Sequence, residues 1–264
     1  MNDLKIAFFD SGIGGLSVLK RALDLYPYEK YLYYADTLNA PYGNLSKEKI
    51  YRLTYLSVEK LVKTGIKALV IACNTATNAG VVKLREAFNL EIIGIEPALK
   101  PAVEKIKSGN ILVLGTYAAL RQEKFKTLYE KYDNKNIILS PQSDLASDIE
   151  NHYFDRDFLY QKLERVFKEY RNFDIKGIVL GCTHYSLVKD LILKMFENAE
   201  IFDGNTGTAI NLFRKLRDKN LISPNKEQSI EIFTSCGLES KKEQYLKILN
   251  SLHNSYWKKI VFVL

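Results

Sequence analysis

The stretches "VIACNTAT" (70–77) and "VLGCTHYS" (179–186) are one short object built twice. Each is an apolar run that stops on a small residue, then cysteine, then Asn or Thr. A continuous apolar run that ends abruptly in small and polar residues reads as a strand buried on both faces. Other runs share this character: "LKIAFFD" (4–10), "KYLYYAD" (30–36), "EIIGI" (91–95), "NILVLG" (110–115), "NIILS" (136–140) and "AEIFDG" (199–204). Between them lie stretches with helical spacing, among them "LSVLKRALDLY" (16–26), "SKEKIYRLTYLSVEKLVK" (46–63), "LRQEKFKTLYEKY" (120–132) and "DFLYQKLERVFKEY" (157–170). Strand and helix in alternation predict an α/β fold of mostly parallel sheet with helical crossovers.

The chain has 264 residues, of which 47% are apolar. That length suits two lobes better than one core. "SIEIFTSCG" and "WKKIVFVL" near the end predict two more strands around a helix. They complete the first lobe if the second is inserted into it. The expected division is 1–96 with 206–264 for the first lobe and 97–205 for the second, crossing near Glu96–Pro97 and Asn205. No apolar run reaches the roughly 18–20 residues of a spanning helix. The opening "MNDLKIAFFDSG" reads as a first strand and not as a leader, so the expected location is the cytoplasm, with no membrane partner.

Cys73, Cys182 and Cys236 are the three cysteines. An odd, small number argues against a disulfide framework, and no CxxC or HxxxH spacing suggests zinc. The net charge of +7 is spread over the helices. A solvated lysine-rich surface accounts for it, and it points to no specific nucleic acid.

Ligands of open α/β sheets sit outside the carboxyl ends of the strands. Polar residues there are Asp10 before "SGIGG", Asp36 before "APYG", Cys73-Asn74-Thr75, Gly115-Thr116 and Cys182-Thr183-His184. "DSGIGG" lacks the Lys-Ser/Thr of a P-loop and departs from GxGxxG, so no nucleotide is favoured. It is also simply a strand–helix turn capped by Asp10 or Ser11. "PYG" is a turn whose backbone and Tyr42 hydroxyl could hold a carboxylate. A lone cysteine after a buried strand is usually packing. Two, each followed by hydroxyl or amide side chains, ask for a reaction that uses both. A nucleophilic hydrolase needs one thiol and one base. Racemisation needs an acid and a base on opposite faces of one carbon, and a thiol near its ordinary pKa of about 8.5 can be tuned for either task. Cys236, in "TSCG", has no polar cluster and reads as structural.

"FDSGIGGLSV", "YADTLNAPYG", "ACNTAT", "GIEPA" and "LGCTHYSL" together resemble the bacterial glutamate racemases of the cofactor-independent aspartate/glutamate racemase superfamily. The resemblance spans nearly the whole chain, in order. It implies two pseudo-symmetric α/β lobes with the active site between them, glutamate as substrate, no cofactor and no metal. It also implies a homodimer and a supply of D-glutamate for peptidoglycan. Cys73 would be the base toward D-glutamate and Cys182 the base toward L-glutamate. Asp10 would assist near Cys73, and His184 with Glu150 near Cys182. Ser11, Tyr42, Gly43, Asn74, Thr75, Thr116 and Thr183 would bind the carboxylates and the amine. The chain departs from the pattern at "YAD", at Ala119, where a second threonine is common, and at Gly204, where serine is usual. A racemase for aspartate or another small acid, and a cysteine-dependent hydrolase or lyase, stand as alternatives.

Overall fold

The computed structural model describes residues 4–121, 123–132, 136–225, 228–236, 239–252 and 260–262. The first half runs β1 (Lys5–Asp10), α1 (Leu16–Leu25), β2 (Lys30–Ala35), α2 (Lys47–Lys63), β3 (Ile66–Ile71), α3 (Asn74–Ala87) and β4 (Glu91–Gly94). After α4 (Leu99–Lys105) come β5 (Asn110–Thr116), α5 (Tyr117–Leu120), α6 (Glu123–Glu130), β6 (Ile137–Gln142), α7 (Leu145–His152), α8 (Arg156–Phe167), β7 (Ile175–Leu180), α9 (Lys189–Met195) and β8 (Glu200–Asp203). The chain closes with α10 (Asn205–Asp218), β9 (Ser229–Thr234), α11 (Glu239–Leu252) and β10 (Ile260–Phe262). The rest of the expected last strand lies outside the described residues.

Among the described residues all strand pairs are parallel. One sheet has the order β10-β9-β2-β1-β3-β4, the other β6-β5-β7-β8. The run β2-β1-β3-β4 is therefore repeated as β6-β5-β7-β8. In each copy the cysteine follows the third strand to be made, which lies beside the first. The copies also share a register shift at the start of that pairing, at Lys5/Ile6 and at Asn110/Ile111. The doubled motif thus marks one topological position used twice. Pro141 pairs within β6, an edge strand, where a residue without an N–H does least harm.

β1 and β3 are buried almost throughout, as strands covered on both faces must be. Ala7, Phe9, Leu69 and Ile71 face a core closed by α2 and α3, while Ile111, Val113 and Val179 face one closed by α4. A third core is continuous between the sheets. It joins Phe8, Ile13 and Leu16 to Leu112, Ile149, Leu180 and Tyr185, and to Tyr245 and Ile248 of α11. The chain leaves the first sheet after Gly94 and returns after Asp203, where α10 packs on α1.

Helix spacing and structure differ in two places. The helix expected over 120–132 is broken, because α5 ends at Leu120 and α6 begins at Glu123. The turn after β1 is not a side-chain cap: α1 starts at Leu16 with Gly15 at its N-cap and no capping hydrogen bond. Asp10 and Ser11 are left for other work.

Candidate active site

At the end of β3 the chain turns directly into α3. Cys73 sits at the N-cap of this helix, and its sulfur accepts from the Ala76 N–H at 3.5 Å. The hydroxyl of Ser11 lies 3.7 Å from the same sulfur. Adjacent strands bring these residues together: the Ala72 N–H bonds the Phe9 carbonyl at 2.8 Å, so the end of β1 lies beside the end of β3. The second sheet repeats the junction, with Gly181 N–H on the Leu114 carbonyl at 2.6 Å. Beyond β7 the chain enters a 3-10 turn, Thr183–Val188, instead of a long helix. The turn places His184 Nδ1 3.9 Å from the Cys182 sulfur.

The polar groups form a chain across the two halves. Glu150, from α7, meets His184 Nε2 at 2.7 Å and accepts from the Ile13 N–H at 2.8 Å. Asp10 accepts from the Gly12 N–H at 2.9 Å and from the Thr183 hydroxyl at 3.1 Å. Thr75 and Thr116 hydroxyls meet at 3.1 Å, and Thr116 also caps α5 through the Ala119 N–H. "DSGIGG" explains itself here. A Cβ at Gly12 would collide with the Glu150 carboxylate, and one at Gly14 would lie 2.5 Å from the Thr183 hydroxyl and 2.6 Å from the His184 N–H nitrogen. The first turn approaches the second half so closely that only glycine fits.

Ser11, Tyr42, Gly43, Cys73, Asn74, Thr75, Thr116, Cys182, Thr183 and His184 all line one cavity, together with Pro41 and Ala146. Its free volume is about 10 Å³, the scale of a single water molecule. A ligand of amino-acid size therefore needs the walls to part. Asp10 and Glu150 stand behind the wall, in contact with Thr183 and His184.

The two sulfurs have different surroundings. Burial pushes the Cys73 thiol up to about 12; the nearby Asp10 carboxylate adds to this, and the Ala76 N–H and Ser11 oppose it. Burial also pushes Asp10 up to about 6, against the pull of His184 and its hydrogen bonds. Burial alone would neutralise His184 and protonate Glu150. Their mutual hydrogen bond, the contact of His184 with Cys182, and the Ile13 N–H and Lys241 on Glu150 outweigh it. His184 is held well above its usual range and Glu150 below. Cys73 is thus kept as a thiol, while a positive imidazolium stands beside Cys182.

The Tyr42 hydroxyl, which the turn reading offers to a carboxylate, has a partner within the protein. It donates to Asp36 at 2.6 Å, so Asp36 at the end of β2 holds the tyrosine and the ring lines the cavity. Two supporting residues had no signal at a strand end. Tyr33, inside β2, donates to the Gly12 carbonyl at 2.6 Å, and Gln244, on α11, donates to the Glu150 carbonyl at 2.8 Å. Alternation within β2 could have shown only that Tyr33 is buried. Cys236 lies apart, beside Thr234. Among the described residues no group of three or more His, Cys, Asp or Glu side chains could hold a metal, and no helix is long and apolar enough to cross a membrane.

Known proteins resemble this chain in sequence and fold. The sequence model of the Asp/Glu/Hydantoin racemase family matches residues 33–209. A glutamate racemase of Clostridium botulinum is 43% identical over 93% of this chain and 97% of its own length. One from Clostridium perfringens is 44% identical over 91% of this chain and 95% of its own. The crystal structure of glutamate racemase isoform RacE1 from Bacillus anthracis superposes with a TM-score of 0.86 at 29% identity, covering 100% of this chain and 98% of that one. With the repeated sheet, the paired cysteines and these matches in agreement, the chain belongs to the Asp/Glu/Hydantoin racemase family, an isomerase whose similar curated relatives are glutamate racemases.

Proposed function

We propose that this protein interconverts L- and D-glutamate without a cofactor, with Cys73 and Cys182 as the acid and base on opposite faces of the α-carbon. The observation that supports this most is the shared cavity: two thiols, delivered by equivalent strands of two sheets, border one small space. In the L-to-D direction the Cys182 thiolate, beside the imidazolium of His184, takes the α-proton. The C–H electron pair moves into the α-carboxylate as an enediolate. The Cys73 thiol then protonates the carbon from the other side. The D-to-L direction runs the same steps in reverse, which leaves the roles exchanged. Proton transfer by a positioned group contributes about 10²–10⁴-fold to a rate.

The substrate's polar groups have matching partners. Asn74 borders the cavity, and among the described residues nothing hydrogen-bonds its buried Oδ1. An acceptor left open in this way suits the α-ammonium. Hydroxyls of Ser11, Thr75, Thr116 and Thr183 and the backbone near Gly43 suit the two carboxylates. A product role in peptidoglycan supply and a homodimeric assembly complete the reading and rest on the resemblance to glutamate racemases, and a cytoplasmic location goes with them. Purified protein incubated with L-glutamate, and with neither pyridoxal phosphate nor metal, should lose its circular dichroism signal until both enantiomers are equal. An unchanged signal, or one that changes only after a cofactor is added, contradicts the proposal.

A further inference from the structure

The C-terminal helix α11 belongs to the first sheet's β9–α11–β10 unit, yet its first turns reach Glu150 on α7 of the other half. Lys241 Nζ lies 3.8 Å from Glu150 Oε1 and Gln244 bonds the Glu150 carbonyl at 2.8 Å. Tyr245 tilts against Tyr33, with ring centroids 6.1 Å apart, and Tyr33 in turn holds the Gly12 carbonyl. Glu150 spends its Oε2 on His184 and on the Ile13 N–H. Its Oε1 is buried and has no hydrogen-bond partner among the described residues. A buried carboxylate oxygen without a donor is costly unless a positive charge offsets it. Among the described residues the ion pairs of Glu150 are with His184 and Lys241.

We infer that Lys241 is a positioning residue: it keeps Glu150 ionised and aimed at His184, so that α11 governs the Cys182 half of the site from the far end of the chain. The inference rests on the two-thiol reading for its catalytic consequence. The groups that face Glu150 are His184 from the 3-10 turn, Asp10 and Ile13 from the turn after β1, Lys241 and Tyr245 from α11, and Tyr33 from β2. Asp10 opposes the ionised state and His184 and Lys241 favour it. Loss of Lys241 therefore makes Glu150 easier to protonate. The imidazolium of His184 then loses its counter-charge at a higher pH.

The test compares Lys241→Gln, Lys241→Arg and Gln244→Ala with the unchanged protein. For Lys241→Gln the acid limb of kcat/KM moves to higher pH by about half a unit to one unit, the effect of one partly exposed charge near a carboxylate. Turnover at neutral pH stays within about 2-fold, because a carboxylate held below its ordinary range and raised by this much is still ionised there. Lys241→Arg restores the limb. Gln244→Ala lowers thermal stability and leaves the limb in place. The same shift appears without turnover in the ¹⁵N NMR titration of the His184 ring, which separates this inference from the racemase reading: a protein inactive on glutamate still reports it. An acid limb and a His184 titration that stay unmoved in Lys241→Gln overturn the inference, whatever happens to its stability.

Discussion

The two cysteine neighbourhoods occupy equivalent places in the repeated sheet and are chemically unlike. Around Cys73 stand Ser11, a helix N-terminus and, farther back, the buried Asp10. Around Cys182 stands an imidazolium backed by Glu150. The fold repeats the position of the thiol and varies what holds its proton. One thiol is kept protonated by burial and a nearby carboxylate, and the other has a cation as neighbour. Environment alone can impose different tasks on matched groups, and the proposed acid and base roles build on that difference.

The largest effect that can break this comparison is loss of either thiol. Cys73→Ala and Cys182→Ala should each lower racemisation by about 10³-fold or more, because one face is left without its acid or base. The residual chemistry should differ. Cys182→Ala should keep slow solvent exchange at the α-carbon of D-glutamate, and Cys73→Ala that of L-glutamate, both read by NMR. Racemisation near the original rate in either variant would remove the two-thiol account.

Smaller effects separate the supporting groups. The enantiomers have equal free energy, so kcat/KM must be the same in both directions in every variant, and asymmetry can show only in kcat, KM and isotope effects. His184→Asn should depress kcat more from L-glutamate, by about 10- to 100-fold. Asp10→Asn should depress it more from D-glutamate. Asp10 also carries a stability signature. Its folded pKa is raised from 3.8 to about 6. Folding is therefore favoured below the lower value, and that contribution is lost as pH rises between the two. Ionised at neutral pH, the buried carboxylate costs about 1–3 kcal/mol. Asp10→Asn should melt at a higher temperature than the unchanged protein at pH 7 and at nearly the same temperature below pH 4. A lower melting temperature at pH 7 would show that the carboxylate is better compensated than its burial indicates.

The smallest effect is expected at Cys236, which belongs to neither neighbourhood. Cys236→Ala should leave kcat unchanged and stability within about 0.5 kcal/mol. A large loss of turnover there would bring a third thiol into the chemistry.

How much of this could be read from the chain depends on where a residue sits. Asp10, Cys73, Thr116 and Cys182 stand at or just past strand ends, and parallel sheets put ligands there. Glu150 is different. It lies inside α7, where "SDIEN" carries no strong motif, and only the family resemblance points to it. Its partners Ile13 and Lys241 are distant in sequence, and neither contact leaves a local signature. Tyr42 was found by its turn, but its hydroxyl turned out to serve Asp36, because a pairing of two polar loop residues is decided by tertiary packing. The glycines of "DSGIGG" read from the sequence as a strand–helix turn. They are small because Glu150 and Thr183 of the other half press against them.

The central claim is that two thiols face opposite sides of one carbon, and solvent deuterium tests it most directly. L-glutamate is converted in D2O and stopped early, and both enantiomers are separated and analysed by mass spectrometry. Thiol protons exchange with solvent, so the D-glutamate formed should carry one deuterium at the α-carbon, while the remaining L-glutamate stays almost free of it. The same asymmetry, with the enantiomers exchanged, should hold when D-glutamate is the starting material. Deuterium appearing equally in substrate and product from the first turnovers, or product that keeps the substrate's own hydrogen, would mean that a single group handles the proton on both faces, and the two-thiol account would be wrong.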